Sequence, residues 1–165
     1  MGVSFGKRVF DMLNKQISEE FGTAYLYLAM SGVLKDMGLT GCADWMMRQF
    51  QEEYRQAIKI YKHIQERGTK IKLLPIAAPK QEWRAPIHIF EEMLRHEQKN
   101  SVMINAIYEY ALAEKDYQSL CFITEFVQEQ AKKEATIAYL FDRLRKMQST
   151  ELGVIMFDAE LSQKV

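Results

Sequence analysis

The sequence is short of chain breakers and of cysteine, and each shortage narrows the possible fold. Only three prolines occur, Pro75, Pro79 and Pro86, and all lie in one stretch. None of the eight glycines falls between Thr69 and Leu152. A β-sandwich or barrel would place turn residues about every 8–12 positions, so the pattern excludes one and leaves helices. The two cysteines, Cys42 and Cys121, are far apart and in no metal-ligand spacing. They form no disulfide framework and read as buried free thiols of a reducing compartment. A charge excess is missing too: 22 Lys and Arg balance 22 Asp and Glu. That balance argues against nucleic acid and against an anionic membrane surface as partners. No run of about 18 apolar residues exists to span a bilayer. Met1 to Lys15 lacks the apolar core of a signal peptide, so a cytoplasmic protein is expected.

What is present suits a soluble core. The chain is 48% hydrophobic and 27% charged, and its 165 residues make a single domain spanning 1–165. The breakers divide it into five helices. The first is expected from about Lys7 to Met37, ended by Gly38-Leu39-Thr40-Gly41. A second runs from about Cys42 to Arg67, with Gly68 placed for a left-handed cap. Thr69 to Ala85 holds prolines and shows no helical period. Pro86 suits a first turn and opens the third helix, which continues to about Lys115. After a break at Asp116, the fourth covers about Tyr117 to Met147. Ser149, Thr150 and Glu151 can cap a short fifth helix ending near Gln163.

Apolar stripes at helical spacing mark the core faces. They comprise Leu13, Ile17, Phe21, Ala24 and Leu28 on the first helix, and Met46, Phe50, Ala57, Ile60 and Ile64 on the second. Phe90, Met93, Ile104 and Tyr108 mark the third; Ile123, Val127, Ile137, Leu140 and Leu144 mark the fourth. Short connections make the first two helices antiparallel, and likewise the next two. The segment between the pairs has about 17 residues and, at roughly 3.3 Å each, can reach about 55 Å. That is long enough to travel the length of a bundle. The fold class is all-α: a four-helix bundle with one long crossover and a short C-terminal fifth helix.

Acids interrupt these stripes. Glu20 lies between Ile17 and Ala24, Glu53 between Phe50 and Ala57, and Glu97 between Met93 and Ile104. Gln130 sits in the fourth stripe, between Val127 and Ile137. A buried carboxylate is costly unless it is paired or binds a metal. One such glutamate commonly reaches solvent from a helix boundary; three at similar depth on three helices point to a shared site. Di-iron bundles use single glutamates from two helices and Glu-x-x-His from the other two. Here Glu20 and Glu97 match the single acids and Glu53 starts a Glu-x-x-His, but the histidine is absent. His63, His88 and His96 stand in no ligand spacing and read as surface or capping residues. The ten methionines read as core filler.

Four motifs carry a resemblance to the bacterial-type non-haem ferritins. They are Leu13-Asn14-x-Gln16-x-x-x-Glu20 with Tyr25-Leu26-Tyr27, then Gln51-Glu52-Glu53, His96-Glu97-Gln98 and Val127-x-Glu129-Gln130. Gly153 to Ser162 is similar to the short terminal helix of that family. The resemblance implies a ferritin-like bundle assembling into a 24-subunit cage that stores iron as ferric mineral. It places Glu20, Glu53, Glu97 and Gln130 at a ferroxidase centre and Tyr27 beside it. Glu52 and Glu129 fall on positions that contribute to a third iron site. Tyr54 stands where the related bacterioferritins carry a haem-ligating methionine, so no haem is expected.

Departures from the family pattern point to a weakened centre. Gln56 replaces the ligating histidine, Lys132 and Lys133 replace acids, and Glu125 replaces a tryptophan. A glutamine oxygen is a poorer Fe²⁺ ligand than an imidazole nitrogen. Lys133 lies three residues after Gln130, on the same face, and is expected as a counter-ion that occupies a metal's place. A lysine snorkelling to the surface is the bland alternative. With Lys133 charged beside Glu20, Glu53 and Glu97, the site carries about −2, enough for one divalent ion. Three functions stay open: a storage cage with weak or absent ferroxidase activity, an active ferroxidase with altered ligands, and a cage without iron chemistry.

Overall fold

Glycine ends the first two helices, as their positions suggest. Gly38 and Gly68 take φ of +78° and +71°, a region open to glycine at no steric cost. The computed structural model describes residues 5–164. Its helices are α1 (Lys7–Asp36), α2 (Thr40–Glu66), α3 (Pro86–Ala113), α4 (Tyr117–Met147) and α5 (Glu151–Ser162). Pro86 opens α3 after an extended Ala85. Asp116 caps α4 by accepting from Ser119 N, and Thr150 caps α5 by accepting from Gly153 N. At the α3–α4 turn no glycine is available, and Lys115 takes a positive φ of 56°.

Helix α1 packs on α2 and α3, and α3 packs on α4. The crossover, residues 69–85, runs along α1. Lys72 N donates to Asn14 Oδ1 at 2.7 Å, and Leu74 N to Ser18 Oγ at 3.3 Å. Trp83 Nε1 then donates to Glu92 Oε2 on α3 at 2.6 Å. A single long connection thus carries the chain from one end of the bundle to the other. Helix α2 has no N-cap side chain of its own. Asp158 of α5 supplies one, accepting from Cys42 N at 2.7 Å. A Cβ on Gly41 would lie 2.1 Å from the Asp158 carbonyl oxygen, so glycine permits this docking.

The core is split. One apolar cluster gathers Leu34, Met46, Phe90, Leu144 and Phe157; the other gathers Leu13, Ile17, Ile60, Ile104 and Ile123. Buried polar side chains from all four long helices lie at the middle of the bundle.

Four expectations need correction. Leu28 is 38% exposed rather than in the core, because it lies at the edge of the α1 stripe. Cys121 is exposed, whereas Cys42 is buried as expected. His63 is buried, stacked on Phe122 at 4.0 Å between ring centroids. Burial, and then the nearby Arg67 charge, lower its pKa. His96 is half-buried and hydrogen-bonded to Thr23 Oγ1 at 2.6 Å, so it is neither a surface nor a capping residue.

Candidate metal centre

Each long helix sends a polar side chain inward at one level, because the stripe spacing that buries apolar residues also buries whatever interrupts it. Glu20, Glu53 and Glu97 are 1%, 0% and 0% exposed, and Gln130 is 4% exposed. Tyr27 is buried on α1 two turns after Glu20 and donates its hydroxyl to Glu97 Oε1. Gln130 Nε2 donates to Glu97 Oε2 at 2.7 Å and to the Glu97 carbonyl at 3.1 Å. Both carboxylate oxygens of Glu97 are therefore occupied.

The other two acids are less satisfied. Glu20 Oε1 accepts from Gln16 Nε2 at 2.7 Å, and Glu53 Oε1 accepts from Lys133 Nζ. Glu20 Oε2, Glu53 Oε2 and Gln56 Oε1 are buried with no hydrogen-bond partner among the described residues. Bare buried acceptors are expensive, so they mark a place where a cation or proton is wanted.

Lys133 partly answers that want. Its side chain is 15% exposed and its ammonium pairs with Glu53. Burial works to lower the Lys133 pKa, but the charges of Glu53, Glu97 and Glu20 outweigh it and raise the value. Glu53 is pushed well above the usual carboxylate range by burial. Lys133 opposes that rise, while Glu20 and Glu97 add to it. Burial and the same carboxylates raise Tyr27 well above an ordinary phenol. All three directions describe a cluster that holds its protons tightly. Among the described residues, no trio of His, Cys, Asp and Glu is grouped so that it could hold a metal ion. An ammonium stands among the carboxylates, and the histidine position offers an amide.

Glu52 and Glu129 stand apart from the three buried acids. Their side chains are 45% and 40% exposed, and both line an open cleft between α2 and α4. Glu52 pairs with Arg55; Glu129 accepts from Gln56 Nε2 and lies 3.6 Å from Lys59. Lys132 lines the same cleft, and Glu125 is exposed 3.7 Å from Lys59. Tyr54 is 50% exposed. Asn100, 5% exposed, is a buried member of the cluster that sequence reasoning passed over, and Gln16 was seen only as part of a motif. Their signal was available: Gln16 is four residues before Glu20, and Asn100 is three after Glu97, both on the inner face.

The fold has close counterparts. Residues 10–147 match the family of the ferritin-like domain. A bacterial non-heme ferritin of Bacteroides fragilis is 32% identical over 158 residues, covering 96% of this chain and 98% of the relative. One from Staphylococcus saprophyticus is 30% identical, covering 96% and 95%. Among solved structures, an open pore ferritin from the archaeon Archaeoglobus fulgidus superposes with a TM-score of 0.94 at 33% identity, covering 98% of each chain.

Proposed function

The chain belongs to the ferritin family, and from that premise we propose that it is an iron-storage subunit of a hollow 24-subunit cage whose two-iron ferroxidase centre is weakened. The observation that carries this reading is the Lys133 ammonium paired with Glu53 where the family pattern has an acid in place of that lysine. Fe²⁺ is the substrate and the ferric mineral the product, with O₂ or peroxide as oxidant. Glu20, Glu53 and Glu97 are the acids for any retained iron binding, with Gln130 and Tyr27 holding Glu97. The exposed Glu52 and Glu129, which line the open cleft between α2 and α4, are the acids for a third iron site.

Charge and donor type both limit the site. With Lys133 protonated and all three carboxylates ionised, as metal binding requires, the cluster carries about −2, which balances one Fe²⁺ rather than two. Its donors are all oxygens, a poorer set for Fe²⁺ than one with imidazole. The cage is supported by α5, whose Leu152, Ile155 and Met156 are 66%, 54% and 52% exposed. An isolated helix of 12 residues is marginal, and such a face suits packing against symmetry mates. Among the described residues no helix is long and apolar enough to cross a membrane, and a cytoplasmic cage fits the absence of a disulfide framework.

One observation favours a second reading, an active ferroxidase with altered ligands. Gln56 Oε1, Glu20 Oε2 and Glu53 Oε2 are all bare, so an oxygen ligand set exists if Lys133 withdraws. Aerobic Fe²⁺ oxidation at about two irons per subunit separates the readings. The double variant Gln56→His with Lys133→Glu takes the site to about −4 and should oxidise iron at least about tenfold faster than the native chain. A native chain already as fast as the variant would establish the second reading.

A further inference from the structure

A chain of side-chain amides links two of the three acids across three helices. Gln130 on α4 donates to Glu97 and, through Oε1, accepts from Asn100 Nδ2 at 3.4 Å. Asn100 Oδ1 accepts from Gln16 Nε2 at 2.7 Å. The same Gln16 nitrogen donates its second hydrogen to Glu20 Oε1 at 2.7 Å. The run is Glu97, Gln130, Asn100, Gln16, Glu20, and no member is more than 5% exposed.

Its polarity is fixed at one point. The Glu97 backbone carbonyl can only accept, and Gln130 Nε2 lies 3.1 Å from it. That contact sets which end of the Gln130 amide is nitrogen. The remaining oxygen must face Asn100 Nδ2, which turns Asn100 Oδ1 toward Gln16 and so presents the Gln16 nitrogen to Glu20. Reversing any one amide would set like groups against each other in a water-poor interior. Both carboxylates consequently receive a fixed N–H donor. Glu97 is left with no free oxygen, while Glu20 keeps Oε2 bare.

We propose that Gln16 and Asn100 are positioning residues that orient Glu20 and Glu97 as one unit, so that a metal bound at Glu20 depends on an amide that touches neither acid. The metal-binding part rests on the function proposed above; the orientation of the side chains does not. Asn100 is the discriminating position, since it contacts neither carboxylate yet completes the chain between them.

The test uses the assembled protein with Asn100→Leu, Gln16→Met and the milder Asn100→Asp. Asn100→Asp keeps the acceptor for Gln16 but loses the donor to Gln130. Circular dichroism and thermal melting establish that each variant is folded. A metal-free crystal structure of Asn100→Leu reads the orientation directly: Gln16 and Glu20 should leave their native rotamers. Co²⁺ titration, followed by its visible absorption, should show affinity weakened roughly tenfold or more in Asn100→Leu and Gln16→Met. Asn100→Asp should fall between these and the native chain. Should Asn100→Leu fail to fold, the same crystal structure and titration of Asn100→Asp decide. An unmoved Glu20 in the crystal, or native Co²⁺ affinity and spectrum in a folded Asn100→Leu, overturns the proposal. If the native chain takes up no Co²⁺ or Fe²⁺, the iron reading falls and the crystal structure alone decides the amide chain.

Discussion

Two ion pairs among the described residues hold a buried carboxylate, and they treat it in opposite ways. At one end, Arg67 Nη1 meets Asp116 Oδ1 at 2.9 Å, with side chains 6% and 2% exposed. At mid-bundle, Lys133 meets Glu53, with side chains 15% and 0% exposed. Asp116 resists burial, which would raise its pKa, because the Ser119 backbone N–H, Arg67 and the Ser119 hydroxyl together lower it. Glu53 is raised instead, first by burial and further by Glu20 and Glu97, with Lys133 opposing the rise. Asp116 Oδ2 and Glu53 Oε2 both lack a partner, so a bare oxygen does not separate the two sites. The difference is the company each acid keeps. Asp116 is surrounded by donors and closes a helix end; Glu53 is surrounded by other acids and stores unfavourable charge that a cation can relieve.

The largest effect is expected from breaking the closed pair. Arg67→Met leaves Asp116 buried as an anion held by its cap, and should cost about 3–5 kcal/mol of stability in denaturant unfolding. Lys133→Met should cost clearly less, about 1–3 kcal/mol, because Glu53 can take up a proton in place of its partner. Equal losses in the two variants would show that Glu53 is held as firmly ionised as Asp116.

A smaller gain should come from the turn beside Asp116. Lys115 pays for a positive φ that Gly38 and Gly68 take freely, so Lys115→Gly should stabilise the protein by about 1 kcal/mol. An unchanged melting temperature would show that the turn is not strained.

The pH dependences should also diverge. Asp116 has a lowered folded pKa, so its contribution is present above the ordinary Asp value of about 3.9 and is lost as pH falls through the folded value. Glu53 has a raised one, so its contribution is present below about 4.3 and is lost as pH rises through the folded value. Asp116→Asn should therefore flatten the acid limb of stability against pH. Glu53→Gln should gain on the native chain as pH rises from about 4 toward neutrality. Parallel curves for Glu53→Gln and the native protein would contradict the raised Glu53 pKa. The smallest effect belongs to the open cleft: Glu52→Gln, which loses only the exposed Arg55 pair, should shift stability by less than about 1 kcal/mol.

Most of the helical framework was readable from local rules. The bounds of α4 coincide with the sequence reading, and Gly68, Pro86 and Asp116 play the parts their chemistry suggests. The α2 N-terminus was less legible, since its cap comes from Asp158, distant in the chain. His63 and Cys121 were misjudged for the same reason: exposure depends on which helix faces the residue. Among the site residues, the spacing of Glu20, Glu53 and Glu97 exposed the three acids, while the roles of Gln16 and Asn100 stayed hidden.

By itself the sequence determined where helices start and stop, which faces are apolar, and that acids break those faces. These properties follow from backbone sterics and from a helical period that acts over a few residues. Only the tertiary structure decided which polar atoms meet: Lys133 with Glu53, Gln16 with Asn100, and Gln56 with Glu129 at the open cleft. Those pairings join residues up to 84 positions apart. Their direction and charge state depend on donors supplied by other helices, which no local pattern records.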